Sequence, residues 1–383
     1  GIIMKKLFCV TLSFLMAIST NIYAYAAYDF DKSSVQNDYQ YKITSDCAEW
    51  KTLNSHDEMV AACQIADDEI QEMTTDMLVS AYLNYPLLGD MYAYNTIETG
   101  FAALRKQCNA LDELLTREDI GEVLLKRYEN IKLCDLHSSN HVSYNEFIAP
   151  SALEILAAQP EIVNNTDDET FTAINDAIYK KCSAKSDEVY SATKSLYYSV
   201  LNEISETNSE YYSYDRISEA LAVNHVSYAA ISSSDFNWNY TVKTPKKSSV
   251  KVGKLKSGKE LTSSEIRQCK NYVSSNYPGA TYIATPTKKY NCHSYAWYSQ
   301  STSNRYWMND PSKYMRDGSY KKSGFKVGNI IYYAGEHSGV VSLVKVGYAG
   351  CFVKSKWGMY GLYNHFYNQC PYSTSNLTYW VKA

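Results

Sequence analysis

The apolar residues of this chain keep one period over more than half its length and then lose it. From Cys47 to about Ala230 they recur every three or four positions: Met59, Ala62, Cys63, Ala66 and Ile70, then Met77, Leu78, Ala81 and Tyr82, then Phe101, Leu104, Cys108, Leu111, Leu114 and Leu115. That spacing lines one face of a helix. Thr74-Thr75-Asp76 offers an N-cap, Pro86 and Gly89 break the chain, and Gly121 to Tyr128 continues helical. Ala152 to Leu156 predicts another helix, stopped before Pro160, and Asp167-Asp168-Glu169 opens one that carries Phe171, Ile174, Ile178 and Cys182. Val189, Leu196, Tyr197, Val200, Leu201 and Ile204 extend the pattern, so 47–232 predicts an all-α bundle of roughly five to eight helices.

Beyond it the pattern changes. The stretch Lys243 to Lys259 holds seven lysines and no acid, and Thr244-Pro245-Lys246-Lys247-Ser248-Ser249 reads as a linker, so 233–261 predicts a lysine-rich connection. A solvated run and a surface for an anionic polymer, such as one of a cell wall, are both open readings of it. From 262 to 383 helix and strand signals mix, which predicts an α+β domain. The 383 residues exceed one ordinary core, in keeping with two domains.

The N-terminus predicts export. Met4 is followed by Lys5-Lys6, an apolar run from Leu7 to Ile18 and the small-residue end Ala24-Tyr25-Ala26, the pattern of a signal peptide over 1–26. Gly1-Ile2-Ile3 reads as an appended extension, and 27–46 as an extended leader. A retained anchor is the alternative; no later segment predicts a membrane span. Localisation is therefore expected outside the cell or at its envelope.

Cys9 leaves with the signal, and the nine remaining cysteines are an odd number. In an oxidising compartment four disulfides and one free thiol satisfy that count; the alternative is that all stay reduced. No C-x-x-C pair occurs and no zinc site is expected. His137 and His141 lie four apart without an acidic helper between them, and read as a loop rather than a metal pair. No cofactor is expected, and no nucleic-acid reading motif occurs. The 37 tyrosines suit carbohydrate surfaces and cores alike.

The chemistry concentrates in the last third. Thr262-Ser263-Ser264-Glu265 is a capping box, predicting a helix to about Ser275. Lys289-Tyr290-Asn291-Cys292-His293-Ser294-Tyr295-Ala296-Trp297 places Asn291 at an N-cap and Cys292 in the first helical turn. Free amides and the helix dipole there predict a thiol of lowered pKa, a nucleophile once a base is near. His293 points away from its neighbour and is not that base. Phe325 to Tyr333 predicts a strand, Gly335-Glu336 a turn, His337 to Val344 a strand opening on histidine, and Cys351 to Trp357 a third.

Asn291-Cys292-His293-Ser294-Tyr295-Ala296, Gly328-Asn329-Ile330-Ile331 and His337-Ser338-Gly339-Val340-Val341, in this order, resemble the NlpC/P60 and CHAP branches of the papain-like superfamily. The resemblance covers about Ser263 to Ala383. It implies a papain-like antiparallel sheet, Cys292 as nucleophile and His337 as general base. Asn329 stands where that family usually has Asp. The orienting third member is expected on a later strand, with His365 preferred and Ser355 the alternative. The implied reaction is cysteine-dependent hydrolysis of peptide or amide bonds, with peptidoglycan as substrate. Trp297, Tyr306, Trp307 and Trp357 line a substrate groove or belong to the core. Tyr82 to Leu88 is similar to helical regions of uncharacterised secreted Firmicutes proteins, which brings no function. The competing readings are a non-catalytic wall-binding or adhesion module, and an exported effector acting on proteins by the same cysteine and histidine.

Overall fold

The computed structural model describes residues 38–207, 213–222, 235–345, 347 and 349–383. The expected signal peptide and most of the expected leader lie outside them. The described part of that leader is not free: the Tyr39 amide donates to Ser80 Oγ at 3.0 Å and the Tyr41 hydroxyl to the Ala81 carbonyl at 3.1 Å.

Eleven α-helices precede the first strand among the described residues: α1 His56–Ala62, α2 Asp67–Glu72, α3 Thr75–Leu83, α4 Ile97–Gln107, α5 Asn109–Leu114, α6 Ile120–Asn130, α7 Tyr144–Ala157, α8 Pro160–Asn165, α9 Asp168–Ala184, α10 Leu196–Thr207 and α11 Tyr214–Ala222. The count exceeds the expected five to eight because short helices, among them the six-residue α2, α5 and α8, are set off by breaks that periodicity alone does not resolve. The caps fall where the polar residues stand. Thr74 accepts from the Met77 amide at 3.2 Å and Asp167 from the Thr170 amide at 2.9 Å. The helix expected at Ala152 begins instead at Tyr144, behind a Ser143–Glu146 capping box, and carries Pro150 inside it. From Phe147 to Ala157 it is buried on every side; packing outweighs the one backbone donor that proline lacks.

Where a lysine-rich linker was expected there is a hairpin, β1 Phe236–Lys243 and β2 Ser249–Leu255. Tyr240, Val242, Val250 and Val252 pack inward against the sheet half, while Lys243, Lys251 and Lys254 are exposed. Alternation at period two makes it a half-buried ribbon. Its turn is fixed by the Lys246 amide donating to Ser319 Oγ at 3.1 Å.

The remainder is mixed α+β, as expected. Helix α12 Ser263–Asn276 starts at the predicted capping box, Thr262 accepting from the Glu265 amide at 3.1 Å and Glu265 from the Thr262 amide at 2.9 Å. A wholly antiparallel sheet follows, built from β3 Thr281–Ala284, β4 Tyr320–Ser323, β5 Ile330–Tyr333, β6 His337–Val344, β7 Cys351–Lys356, β8 Leu362–Phe366 and β9 Leu377–Lys382, in spatial order β3-β8-β7-β6-β5-β9-β4. A short helix α13, Ser312–Arg316, precedes β4. Asn329 shapes the start of β5: its amide donates to the Gly324 carbonyl at 2.8 Å, which a carboxylate could not do.

Residues 38–383 form one compact unit, and a continuous apolar core runs from Trp50 through α7 into Ile331, Val341, Val353 and Trp357 of the sheet half. At its centre the buried Asp90 carboxylate accepts from Tyr272 and Tyr277 hydroxyls, each at 2.7 Å, and contacts His56 Nε2 at 2.9 Å. All nine cysteines of the described residues are free thiols. The expected disulfides are absent; seven of the nine sit in the interior as small apolar side chains. No helix among the described residues is long and apolar enough to cross a membrane.

Candidate functional site

Asn291 caps the turn that carries Cys292. Its Oδ1 accepts from the amides of Ser294 at 3.2 Å and Met308 at 3.0 Å, while Nδ2 donates to the Met308 carbonyl and to Asn95 Oδ1, both at 2.7 Å. Every polar atom of this buried side chain is thus used, and Cys292 is fixed as the first helical residue. The helix is short and passes at once into a π-wound turn, Ser294–Tyr298.

Cys292 is 1 % exposed. The sulfur donates to Asn95 Oδ1 at 3.6 Å. Burial pushes the thiol up to about 12, against the pull of the Ser338 and His293 backbone amides and the Lys356 ammonium. The expected lowered pKa is therefore reversed. Two turns of helix stabilise a thiolate by less than removal from water costs it.

His337 opens β6 behind a turn in which Gly335 holds φ +92°, a backbone state that suits glycine. The imidazole is fully buried and lies flat on Tyr372, ring centroids 3.7 Å apart and planes 8° off parallel. Neither ring nitrogen has a hydrogen-bond partner among the described residues. Burial, with His365 and His293 nearby, drives its pKa well below the usual range and keeps it neutral. The backbone amide of Ser338, one residue after the histidine, faces the Cys292 sulfur, and no hydrogen bond joins that sulfur to the His337 imidazole. Tyr372 stacks on the imidazole and its hydroxyl donates to the Ala93 carbonyl at 2.7 Å.

The expected third members bond each other. Trp357 Nε1 donates to Ser355 Oγ at 3.0 Å, Ser355 to His365 Nε2 at 2.8 Å, and His365 Nδ1 to the Phe366 carbonyl at 2.9 Å. A carbonyl only accepts, which fixes the tautomer. With both its nitrogens engaged, His365 makes no bond to His337, and neither does Ser355. A parallel chain serves His293, in which Trp297 Nε1 donates to Ser338 Oγ at 2.8 Å and Ser338 Oγ lies in hydrogen-bond contact with His293 Nδ1 at 2.8 Å. Burial lowers His293 and His365 alike to about 4.

The four aromatics expected at a groove divide. Trp297 packs among Tyr314, Tyr320, Tyr332 and Trp380, and Trp357 against Tyr277 and Tyr363, both as core. Trp307 is buried, with Nε1 on the Asn95 carbonyl at 3.1 Å. Only Tyr306 is half-exposed, at a surface depression whose lining does not include Cys292.

Three contributors were not legible in the sequence. The helical half sends Tyr92 to Asn95 into the site: the Tyr92 carbonyl accepts from the Met359 amide at 3.3 Å, Ala93 from the Tyr372 hydroxyl at 2.7 Å, and Asn95 from the thiol itself. Tyr372 is the second. Lys356 is the third, a fully buried lysine lowered by burial to about 7, with Nζ on the carbonyls of Thr287 at 2.8 Å and Gly358 at 2.5 Å. It ties down the irregular segment that leads from β3 into the Cys292 turn. The exposed His137 and His141 rings lie 4.9 Å apart, and no group of three metal-ligating side chains occurs among the described residues. Comparison with protein-family models, characterised proteins and solved structures finds no match to this chain.

Proposed function

We propose that this chain is an exported cysteine hydrolase of amide bonds, its sheet half a papain-like domain of the NlpC/P60–CHAP type and its substrate the peptide part of peptidoglycan. The observation that carries the reading is a free thiol on the first residue of a capped helix, faced by the amide of Ser338, with the residue before that amide, His337, a buried imidazole whose two nitrogens are unspent. A buried polar group without a partner costs stability, and such groups concentrate where chemistry is done.

His337 takes the Cys292 proton as the sulfur bonds to the substrate carbonyl carbon. The backbone amide of Cys292 holds the oxyanion. The C–N bond then breaks as His337 returns the proton to the leaving amine. His337 next deprotonates water, which attacks the thioester and frees the acid and the thiol. Lys356 and the Ser338 amide favour the anionic sulfur, and Asn95 and Tyr372 must move aside to admit substrate. The lysine hairpin offers attraction to an anionic wall polymer.

The full cover over both groups favours a second reading, a non-catalytic module whose cysteine and histidine are core. Digestion of purified peptidoglycan with the full chain separates the two. New free amines that disappear with Cys292→Ala support the hydrolase. No release from peptidoglycan under any condition that opens the site supports the module.

A further inference from the structure

The outer face of the sheet half holds a second feature that the thiol chemistry does not use. Between the hairpin and the segment after the Cys292 turn lies a depression of about 420 Å³. Its lining combines two cations, Lys254 and Arg305, two tyrosine rings, Tyr298 and Tyr306, three serines and Asn304, with no acid among them.

The wall is rigid. Asn304 is buried and bonds three ways, Nδ2 to Ser294 Oγ at 3.1 Å and to the Ser299 carbonyl at 3.2 Å, Oδ1 from the Tyr306 amide at 3.1 Å. The Ser303 amide is held by Ser301 Oγ at 3.1 Å. Trp307 and Gly253 exchange backbone hydrogen bonds, both 2.8 Å, which clamps this segment to β2. Tyr298 is 43 % exposed, unusual for a large ring in this protein, and stands edge-on to Tyr306 with centroids 5.8 Å apart. Tyr306 in turn meets Tyr240, whose other neighbour is the Lys254 ammonium at 5.4 Å. Arg305 is exposed and forms no ion pair among the described residues.

Fixed aromatic faces with hydroxyls beside them suit the apolar faces and edge hydroxyls of a sugar ring, and an unpaired guanidinium binds a carboxylate or phosphate through two hydrogen bonds. A neutral glycan would leave both cations unused; a bare anion would leave the rings unused. We infer that this depression is a binding site for an anionic saccharide, carrying a carboxylate or a phosphate. It narrows the anionic-polymer role of the hairpin from a charged stretch to one built site, and it stands whether or not Cys292 is a nucleophile.

Calorimetric titration of the full chain tests it with four probes: a galacturonate oligomer, a sugar phosphate, a neutral galactose oligomer and inorganic polyphosphate. Binding of the galacturonate oligomer, the sugar phosphate or both is expected, with none from the neutral oligomer. Which of the two binds identifies the anion. Arg305→Ala and Tyr298→Ala should each weaken it about tenfold, while Lys247→Ala at the exposed hairpin tip should leave it unchanged. Unaltered melting temperatures establish that these surface variants fold. Absence of binding by both acidic probes overturns the assignment. So does equal affinity for polyphosphate, or an equal loss in Lys247→Ala, since either means diffuse charge rather than a site.

Discussion

The side-chain oxygen of Asn95, from the loop between Ala93 and α4, accepts a hydrogen bond from the Cys292 thiol at 3.6 Å across 197 residues of sequence. An acceptor on S–H favours the neutral thiol, so the helical half holds the sulfur in its unreactive form. Asn95→Ala should speed alkylation of Cys292 by about fivefold or more. Asn95→Asp, which puts a carboxylate beside the sulfur, should slow it at the same pH. Peptide mapping after timed iodoacetamide treatment reads both rates, and equal rates in all three proteins would contradict the contact.

The shared core predicts that 262–383 does not fold alone. Trp50 Nε1 reaches the Asn276 carbonyl at 2.9 Å, the Tyr94 hydroxyl the Pro371 carbonyl at 2.9 Å, and the Tyr144 hydroxyl that of Tyr360 at 2.6 Å. Removing the helices strands these partners and bares the apolar face beneath them. The isolated fragment should show no cooperative thermal transition by circular dichroism, whereas 38–383 should melt as one unit.

Asp90 sits where the halves meet. Asp90→Asn keeps the volume but sets an amide N–H against hydroxyls and an imidazole that now donate to the carboxylate. The loss should be at least about 3 kcal/mol, read from the urea midpoint at constant slope.

Much of this was local and therefore readable. The Thr262–Glu265 box, the Asn291 cap and the His337 strand start depend on neighbours within a few residues. The hairpin is also written in the sequence, since Asn239 to Lys243 and Ser249 to Val252 alternate, but the seven lysines outnumber the four inward apolar residues and give the stretch the composition of a linker. Asn95 and Tyr372 were not readable. Nothing in Tyr94-Asn95-Thr96 or Pro371-Tyr372 distinguishes them from loop residues; their roles arise only when distant segments pack. The raised thiol pKa was missed for the same reason, because a helix start is visible in sequence and burial from the other half is not.

Three buried histidines give acid sensitivity. His293 and His365 are lowered to about 4 and His337 well below the usual histidine range, whereas an unfolded histidine titrates at about 6.5. As pH falls below about 6.5 the unfolded chain takes up protons that the folded chain does not. Stability is full above that point and declines by about 1.4 kcal/mol per pH unit for each histidine, down to about 4. Urea midpoints should therefore fall steadily from pH 7 to pH 4.5. A flat profile would contradict neutral burial of these rings.

The most direct measurement is acid-quenched mass mapping of the full chain during turnover of peptidoglycan fragments. A thioester adduct on the peptide that holds Cys292, lost in Cys292→Ala and also in His337→Gln, where the thiol keeps its proton, is the expected result. An adduct on any other cysteine, or amine release that persists in Cys292→Ala, would contradict it.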